Sequence, residues 1–381
     1  MRLSGAWLAR PETQEVCRML TSAGHRALFV GGCVRNALLD LTVADVDIAT
    51  DARPETVMAL ALAAGLHPVP TGIDHGTVTV VAGGLPHEVT TFRRDVETFG
   101  RHATVAFSDD IKEDAARRDF TMNALYATPE GELLDPLGGG LADLRARRLR
   151  FVGEATARIE EDYLRILRFF RFHAWYADPA GGFDVEGLAA CAALSAGLET
   201  LSRERIGAEM RKLLSATDPA PAVATMAQSG VLAHVLPGAD PVALPVLVHM
   251  EAGTAPRWLR RLAVLGGPDP AERLRLSRDE SRRLTVLRDA IGTLRGAGEL
   301  GYRHGEALAT DALLARAAVL GQPLAPGWSA EAAAGAAAKF PVKAADLMPA
   351  LQGQALGARL AELEARWIAS GFRLSRDALL A

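Results

Sequence analysis

GGCVRNALLDLTVADVDIAT, residues 31–50, is the stretch on which the fold class turns. The apolar run Ala27-Leu28-Phe29-Val30 precedes it and predicts a strand over 27–30. Gly31-Gly32 then turn the chain into a helix beginning over 34–39, and a second strand is expected over 45–49. Side chains alternate along a strand, so Asp45 and Asp47 fall on one face and Val46 and Ile48 on the other. By itself a D-x-D pair reads as the solvent face of an edge strand.

Three neighbours shift that balance. Two glycines between a strand and a helix let backbone N–H groups reach phosphate oxygens. Arg35, in the first turn of that helix, can add a charge-assisted contact. Glu88 lies between His87 and Val89 on a later strand and brings a third carboxylate. Adjacent carboxylates repel and call for a cation, and Mg²⁺ takes oxygen ligands that it shares with phosphate. A carboxylate set of this kind suits a two-metal site that activates an attacking hydroxyl and steadies a leaving pyrophosphate.

Outward from this stretch, residues 11–22 and 54–65 predict helices, the second opened by Pro54. Residues 76–81 alternate Thr with Val, Gly83-Gly84 predict a hairpin turn, and 87–92 return as the partner strand. After Pro136-Leu137-Gly138-Gly139-Gly140 the patterns become almost wholly helical, ending in an Ala/Leu-rich tail over 305–381. The fold class expected is therefore α+β, a mixed head followed by helices.

The bulk numbers constrain function by exclusion. A chain of 381 residues, 49% hydrophobic and 23% charged, predicts a soluble protein of several domains. A net charge of −4 rules out a global basic field, so any nucleic acid must meet a local patch. Cys17, Cys33 and Cys191 lack metal spacing and predict reduced thiols. With neither a signal-peptide core nor a long apolar run, the expected location is cytoplasmic, with no membrane. His67, His75, His87 and His102 are scattered and offer no alternative centre.

G-G-x-V-R, then D-x-D-I-A-T, then E-V-T-T-F-R resembles the class II tRNA nucleotidyltransferase and bacterial poly(A) polymerase family of the polymerase β superfamily. The resemblance covers roughly residues 25–210. It implies a polymerase-β-like nucleotidyltransferase head over 1–135, a helical neck over 136–215, a body over 216–300 and a tail over 301–381. It implies that Gly31, Gly32 and Arg35 hold a triphosphate. Asp45 and Asp47 would carry Mg²⁺, with Glu88 as third catalytic carboxylate. Asn36 stands where the family usually has Asp and receives no metal role.

Further motifs follow in the family's order. Arg117-Arg118-Asp119-Phe120-Thr121-Met122-Asn123-Ala124 resembles the ribose-recognition element, which implies nucleotide contacts for Arg118, Asp119 and Asn123. Residues 135–145 look like the family's flexible head–neck junction. Glu160-Glu161-Asp162-Tyr163-Leu164-Arg165-Ile166-Leu167-Arg168 resembles the base-reading template, with Asp162, Arg165 and Arg168 expected on one helix face. Asp162 would accept from the exocyclic amine of cytosine or adenine and Arg165 would donate to the ring nitrogen beside it. Uracil and guanine mismatch both contacts. The motif beginning at Ser202 resembles the family's supporting element, with Ser202 as N-cap. The polar stretch 93–116 is similar to the loop that switches the enzyme from C to A, with Phe99 as a departure.

Residues 257–303 hold eleven Arg, no Lys and six acidic residues. They are either solvated helix faces or a groove for tRNA phosphates; Arg260, Arg275 and Arg282 are the RNA contacts expected. The activity implied is addition of CCA to the tRNA 3′ end from CTP and ATP, by a monomer or homodimer. Alternatives are a poly(A) polymerase, an enzyme adding part of CCA, or a catalytically silent RNA-binding protein.

Overall fold

The structure, a computed structural model, describes residues 1–95 and 105–381. Among the described residues nine short strands are formed: β1 Leu28–Val30, β2 Asp47–Thr50, β3 His67–Gly72, β4 Thr77–Ala82, β5 Leu85–Thr91, β6 Arg93–Asp95, β7 Val105–Phe107, β8 Tyr126–Ala127 and β9 Leu133–Leu134. Seven build one sheet in the order β3-β4-β5-β2-β1-β8-β9, and β6 pairs with β7. Beyond Leu134 every regular element among the described residues is helical. The mixed head and helical remainder expected from the sequence are thus observed.

β2 is central in this sheet, against the edge-strand alternative. β1 flanks it antiparallel, with Phe29 opposite Ile48, and β5 flanks it parallel. Ile48, Ala49 and Thr50 are accordingly buried. The strand starts at Asp47 rather than 45, so Asp45 lies in the exposed approach to it. The hairpin at Gly83-Gly84 forms with both glycines at positive φ, 55° and 82°, the conformation a two-residue turn between β4 and β5 requires.

The chain divides into two compact units, Met1–Leu201 with Ser229–His234, and Ser202–Gln228 with Val235–Ala381. In the first, Leu28, Val30, Ala49, Phe92, Ala124 and Tyr126 form a core beneath the sheet. Phe120 packs against Phe151, Phe169 and Phe172 at ring-centroid distances of 5.0, 6.3 and 5.1 Å. These rings seat the helix Leu164–Tyr176 against the segment 117–124 and so bring two of the sequence motifs together.

In the second unit the Ala-rich tail has a packing explanation. A Cβ on Gly335 would fall 1.9 Å from the carbonyl oxygen of Gly298, and one on Gly301 would fall 2.0 Å from that of Ala332. The helices Ala297–His304 and Trp328–Ala337 therefore touch backbone to backbone, which only small residues permit. Ser202 caps the helix Arg203–Leu214 by accepting from Arg205 N, as expected. Among the described residues no helix is long and apolar enough to cross a membrane, and all three cysteines are free thiols.

Candidate active site

Asp47 opens β2 and Glu88 is its Cα partner on β5 in the parallel ladder. Partners in register leave the sheet on the same face, while Ile48 and Val89, one residue on, are buried on the other. Burial first, and then the charges of Glu88 and Asp45, push the Asp47 carboxyl up to about 6, against the pull of Arg118 and Arg35. The donor set is all carboxylate oxygen, the chemistry Mg²⁺ prefers, and its mutual repulsion is what a divalent cation would relieve. Among the described residues no three His, Cys, Asp or Glu side chains already converge on a single point.

Gly31, at φ 70°, ends β1 and leads into the helix Gly32–Leu38. A Cβ at Gly31 would lie 3.5 Å from Arg118 Nη1, and one at Gly32 would lie 3.8 Å from Arg35 Nη2. The two glycines thus border two guanidinium groups. Arg118 is held by Asp114 Oδ2, to which Nη2 donates at 2.9 Å, and by the Tyr126 hydroxyl at 3.0 Å from Nε. Tyr126 in turn donates to Asp114 Oδ2 at 2.6 Å.

Arg35 is buried, and its partners are neutral. Nη1 donates to Asn123 Oδ1 at 2.6 Å and Nη2 to the Tyr176 hydroxyl at 2.8 Å. Nε and Nη2 also donate to Asn36 Oδ1 at 3.2 and 2.8 Å. The guanidinium lies over the Tyr176 and Phe172 rings, 4.0 and 5.1 Å from their centroids. Burial lowers its pKa from the usual arginine value.

Asp119 extends the network. Oδ1 accepts from Asn123 Nδ2 at 2.9 Å and from Phe120 N at 2.8 Å, and Oδ2 accepts from Arg168 Nε at 2.8 Å. Burial alone would raise its carboxyl, but Arg168 and these hydrogen bonds outweigh it and hold it below the usual carboxylate range. The polar chain Tyr176–Arg35–Asn123–Asp119–Arg168 therefore joins the glycine-led helix, the 117–124 segment and the helix Leu164–Tyr176.

The residues expected to read the base depart from the geometry expected of them. The helix Ala155–Glu161 ends and Asp162 takes extended backbone, φ −155° and ψ 103°, before the next helix begins at Leu164. Asp162 is therefore not on one helix face with Arg165 and Arg168. Its Oδ1 instead accepts from Leu164 N at 3.1 Å. Arg165 Nη1 donates to Arg158 O at 2.6 Å and to Glu161 Oε2 at 2.5 Å, and Nη2 to Arg117 O at 3.2 Å. Helix periodicity carried across residues 160–168 hid this break.

Arg260 is not placed to contact RNA. It is 1% exposed, donating to Glu251 Oε1 at 2.7 Å and Asp311 Oδ1 at 2.9 Å. Arg261 is equally buried on Glu251 Oε2. The helix Trp258–Leu265, two adjacent arginines among apolar residues, gives no sign of this by itself, because the compensating Glu251 comes from the preceding segment. Arg275 and Arg282 are exposed, paired with Glu204 and Asp279. Phe99 lies outside the described residues.

Sequence reasoning missed Tyr176, Asp114 and Tyr126. A signal for the first existed: Arg168, Phe172 and Tyr176 recur every four residues and so share one helix face.

The poly(A) polymerase head domain family matches residues 27–150, and the probable RNA- and SrmB-binding site of polymerase A matches 182–242. The chain is thus a nucleotidyltransferase with a polymerase-β-type head. It is 32% identical to the mitochondrial CCA tRNA nucleotidyltransferase 1 of Mus musculus over 96% of this chain and 88% of that one. It is 42% identical to the CCA-adding enzyme of Bacillus mycoides, a match spanning 54% of this chain and 50% of the other. The crystal structure of the Bacillus stearothermophilus CCA-adding enzyme in complex with CTP superposes with a TM-score of 0.74 at 29% identity, over 95% of this chain and 94% of that chain. The chain belongs to the CCA tRNA nucleotidyltransferase family.

Proposed function

We propose that this protein adds CCA to the 3′ end of tRNA, taking CTP and ATP and releasing pyrophosphate. The observation that carries the reading is the in-register placement of Asp47 beside Glu88, within the influence of Asp45, Arg35 and Arg118. Asp45 and Asp47 would hold Mg²⁺, with Glu88 as the adjoining carboxylate. Bound there, Mg²⁺ supplies activation of the tRNA 3′ hydroxyl and charge stabilisation of the leaving pyrophosphate.

The chain's own residues do the rest. Arg35 and Arg118, beside Gly31 and Gly32, bind the triphosphate. Asp119 and Asn123 test for the ribose 2′ hydroxyl. Asp162, giving up its bond to Leu164 N, and Arg165, giving up those to Arg158 O, Glu161 and Arg117 O, present an acceptor and a donor to the base edge. An unpaired buried polar group costs about 1–3 kcal/mol, enough to disfavour uracil and guanine. Arg275 and Arg282 belong to a surface that meets tRNA phosphates. The four-part division into head, neck, body and tail remains part of this reading.

The test is incubation of the purified protein with tRNA lacking its 3′ CCA, Mg²⁺ and each labelled nucleotide. Two C followed by one A is expected, with A dependent on prior C. Long A tracts from ATP alone would instead make it a poly(A) polymerase. Binding of tRNA without any incorporation would make it a silent RNA-binding protein.

A further inference from the structure

We propose that Tyr176 is a positioning residue for the triphosphate: it holds the Arg35 guanidinium in one orientation, so that the helix Leu164–Tyr176 spans the nucleotide from base to phosphate. This rests on the nucleotidyltransferase reading above and gives work to a residue that reading leaves unused.

Tyr176 meets Arg35 in two ways. Its hydroxyl accepts from Nη2 at 2.8 Å, and its ring lies against the guanidinium, 4.0 Å from Cζ to the centroid. Phe172, one turn earlier in the helix, adds a second ring at 5.1 Å, and the two rings pack on each other with centroids 5.3 Å apart. An arginine carries five N–H groups. Asn36 accepts from Nε and Nη2, Asn123 from Nη1 and Tyr176 from Nη2, so four of the five are directed by the protein. The fifth, on Nη1, is left with the charge for an anion beside Gly31 and Gly32. Without Tyr176, the Nη2 end of the guanidinium is tied only by Asn36, its neighbour on the same short helix.

The helix makes this contact more than local packing. Arg165, Arg168, Phe172 and Tyr176 stand at i, i+3, i+7 and i+11, a spacing that keeps them on one face. Arg165 is the residue assigned above to the base. Arg168 holds Asp119, assigned to the ribose, and Tyr176 holds Arg35, assigned to the phosphates. At about 1.5 Å per residue, the stretch from Arg165 to Tyr176 covers about 16 Å, the scale of a nucleoside triphosphate from base edge to γ-phosphate. One rigid element therefore sets the distance between base selection and phosphate binding. A tyrosine that merely filled the interface would be replaceable by phenylalanine or leucine with no change in triphosphate binding.

The experiment compares Y176F, which loses the hydroxyl, and Y176L, which loses hydroxyl and ring, with the parent protein. With Mg²⁺ present it measures KM and kcat for CTP on tRNA lacking CCA, Ki for inorganic pyrophosphate and for CMP, tRNA Kd and Tm. CMP carries the base, the ribose and one phosphate but no pyrophosphate moiety, so it separates a misplaced Arg35 from a loosened site. Y176F should raise KM for CTP and Ki for pyrophosphate about threefold and Y176L about tenfold, the range of one hydrogen bond to a charged group without and with loss of its cation–π support. The change in kcat should be smaller, and Ki for CMP and tRNA Kd should not move. Two results overturn the assignment: KM and pyrophosphate Ki in Y176L equal to the parent's, or a Ki for CMP that rises in step with them, as a purely structural role requires. If Y176L is unfolded at the assay temperature, Y176F decides by the same two criteria. A parent that incorporates no nucleotide sinks the functional reading instead. Direct titration of pyrophosphate and CMP into parent and variants then still judges Tyr176, and a parent that binds no pyrophosphate overturns its role.

Discussion

Asp47 and Glu88 face each other across the parallel ladder of β2 and β5, two carboxylates 41 positions apart made adjacent by strand register. Their repulsion and the burial of Asp47 make that carboxylate unfavourable when no cation is bound. D47N should therefore have a higher Tm than the parent in EDTA at pH 7–8. Mg²⁺ should raise the Tm of the parent but not of D47N. Nucleotide transfer should vanish in D47N while tRNA binding persists. Thermal unfolding with and without Mg²⁺ reads this; an equal Mg²⁺ shift in both proteins would remove Asp47 from the metal site.

Asp119 bonds Asn123 and Arg168 at once, so its removal has two consequences. D119A should weaken the preference for CTP over dCTP, since an acceptor near the ribose is lost. It should also cost about 1–3 kcal/mol of stability by leaving Arg168 and Asn123 without their acceptor. Incorporation assays with both nucleotides, beside denaturant unfolding, separate the effects. Unchanged sugar discrimination in a destabilised mutant would make Asp119 purely structural.

The Asp114 carboxyl gives the head an acid-sensitive element. Burial alone would raise it, but Arg118, the Tyr126 hydroxyl and Arg117 outweigh burial and hold it below its ordinary value. A carboxyl depressed on folding contributes stability above its unfolded pKa, about 3.9, and loses it as pH falls toward the lower folded value. The parent's Tm should therefore fall more steeply below pH 4 than that of D114N. Parallel Tm profiles for the two proteins would show that the cluster contributes nothing to acid stability.

Glu251 lies buried between Arg260 and Arg261, and its two oxygens take one guanidinium each. E251A leaves two buried cations undercompensated and should destabilise the second unit by about 3–5 kcal/mol. KM for CTP, measured well below the unfolding transition, should not move. A loss under about 1 kcal/mol in chemical denaturation would contradict this account of the buried triad.

Local signals carried far. Strand alternation, the glycine pairs and Pro54 place the head's elements within a few residues, and the ordered motifs identify a nucleotidyltransferase. Boundaries shifted where pairing decided them. β2 begins at Asp47 because the ladder with β5 begins there, which leaves Asp45 on the approach. Helix periodicity over 160–168 could not reveal that Asp162 breaks the helix, since the break depends on one extended residue and a local hydrogen bond to Leu164 N.

Residue types and their spacing along the chain, which depend on local backbone preference, determined the α+β head, the helical remainder, the family and the identity of the carboxylates and arginines. Tertiary structure decided which charges are compensated and by what. It set Glu88 opposite Asp47, gave Arg118 an acid and Arg35 only neutral partners, and withdrew Arg260 into the core on Glu251. Compensation depends on distance and burial between residues far apart in sequence, and these arise only when strands register and helices pack.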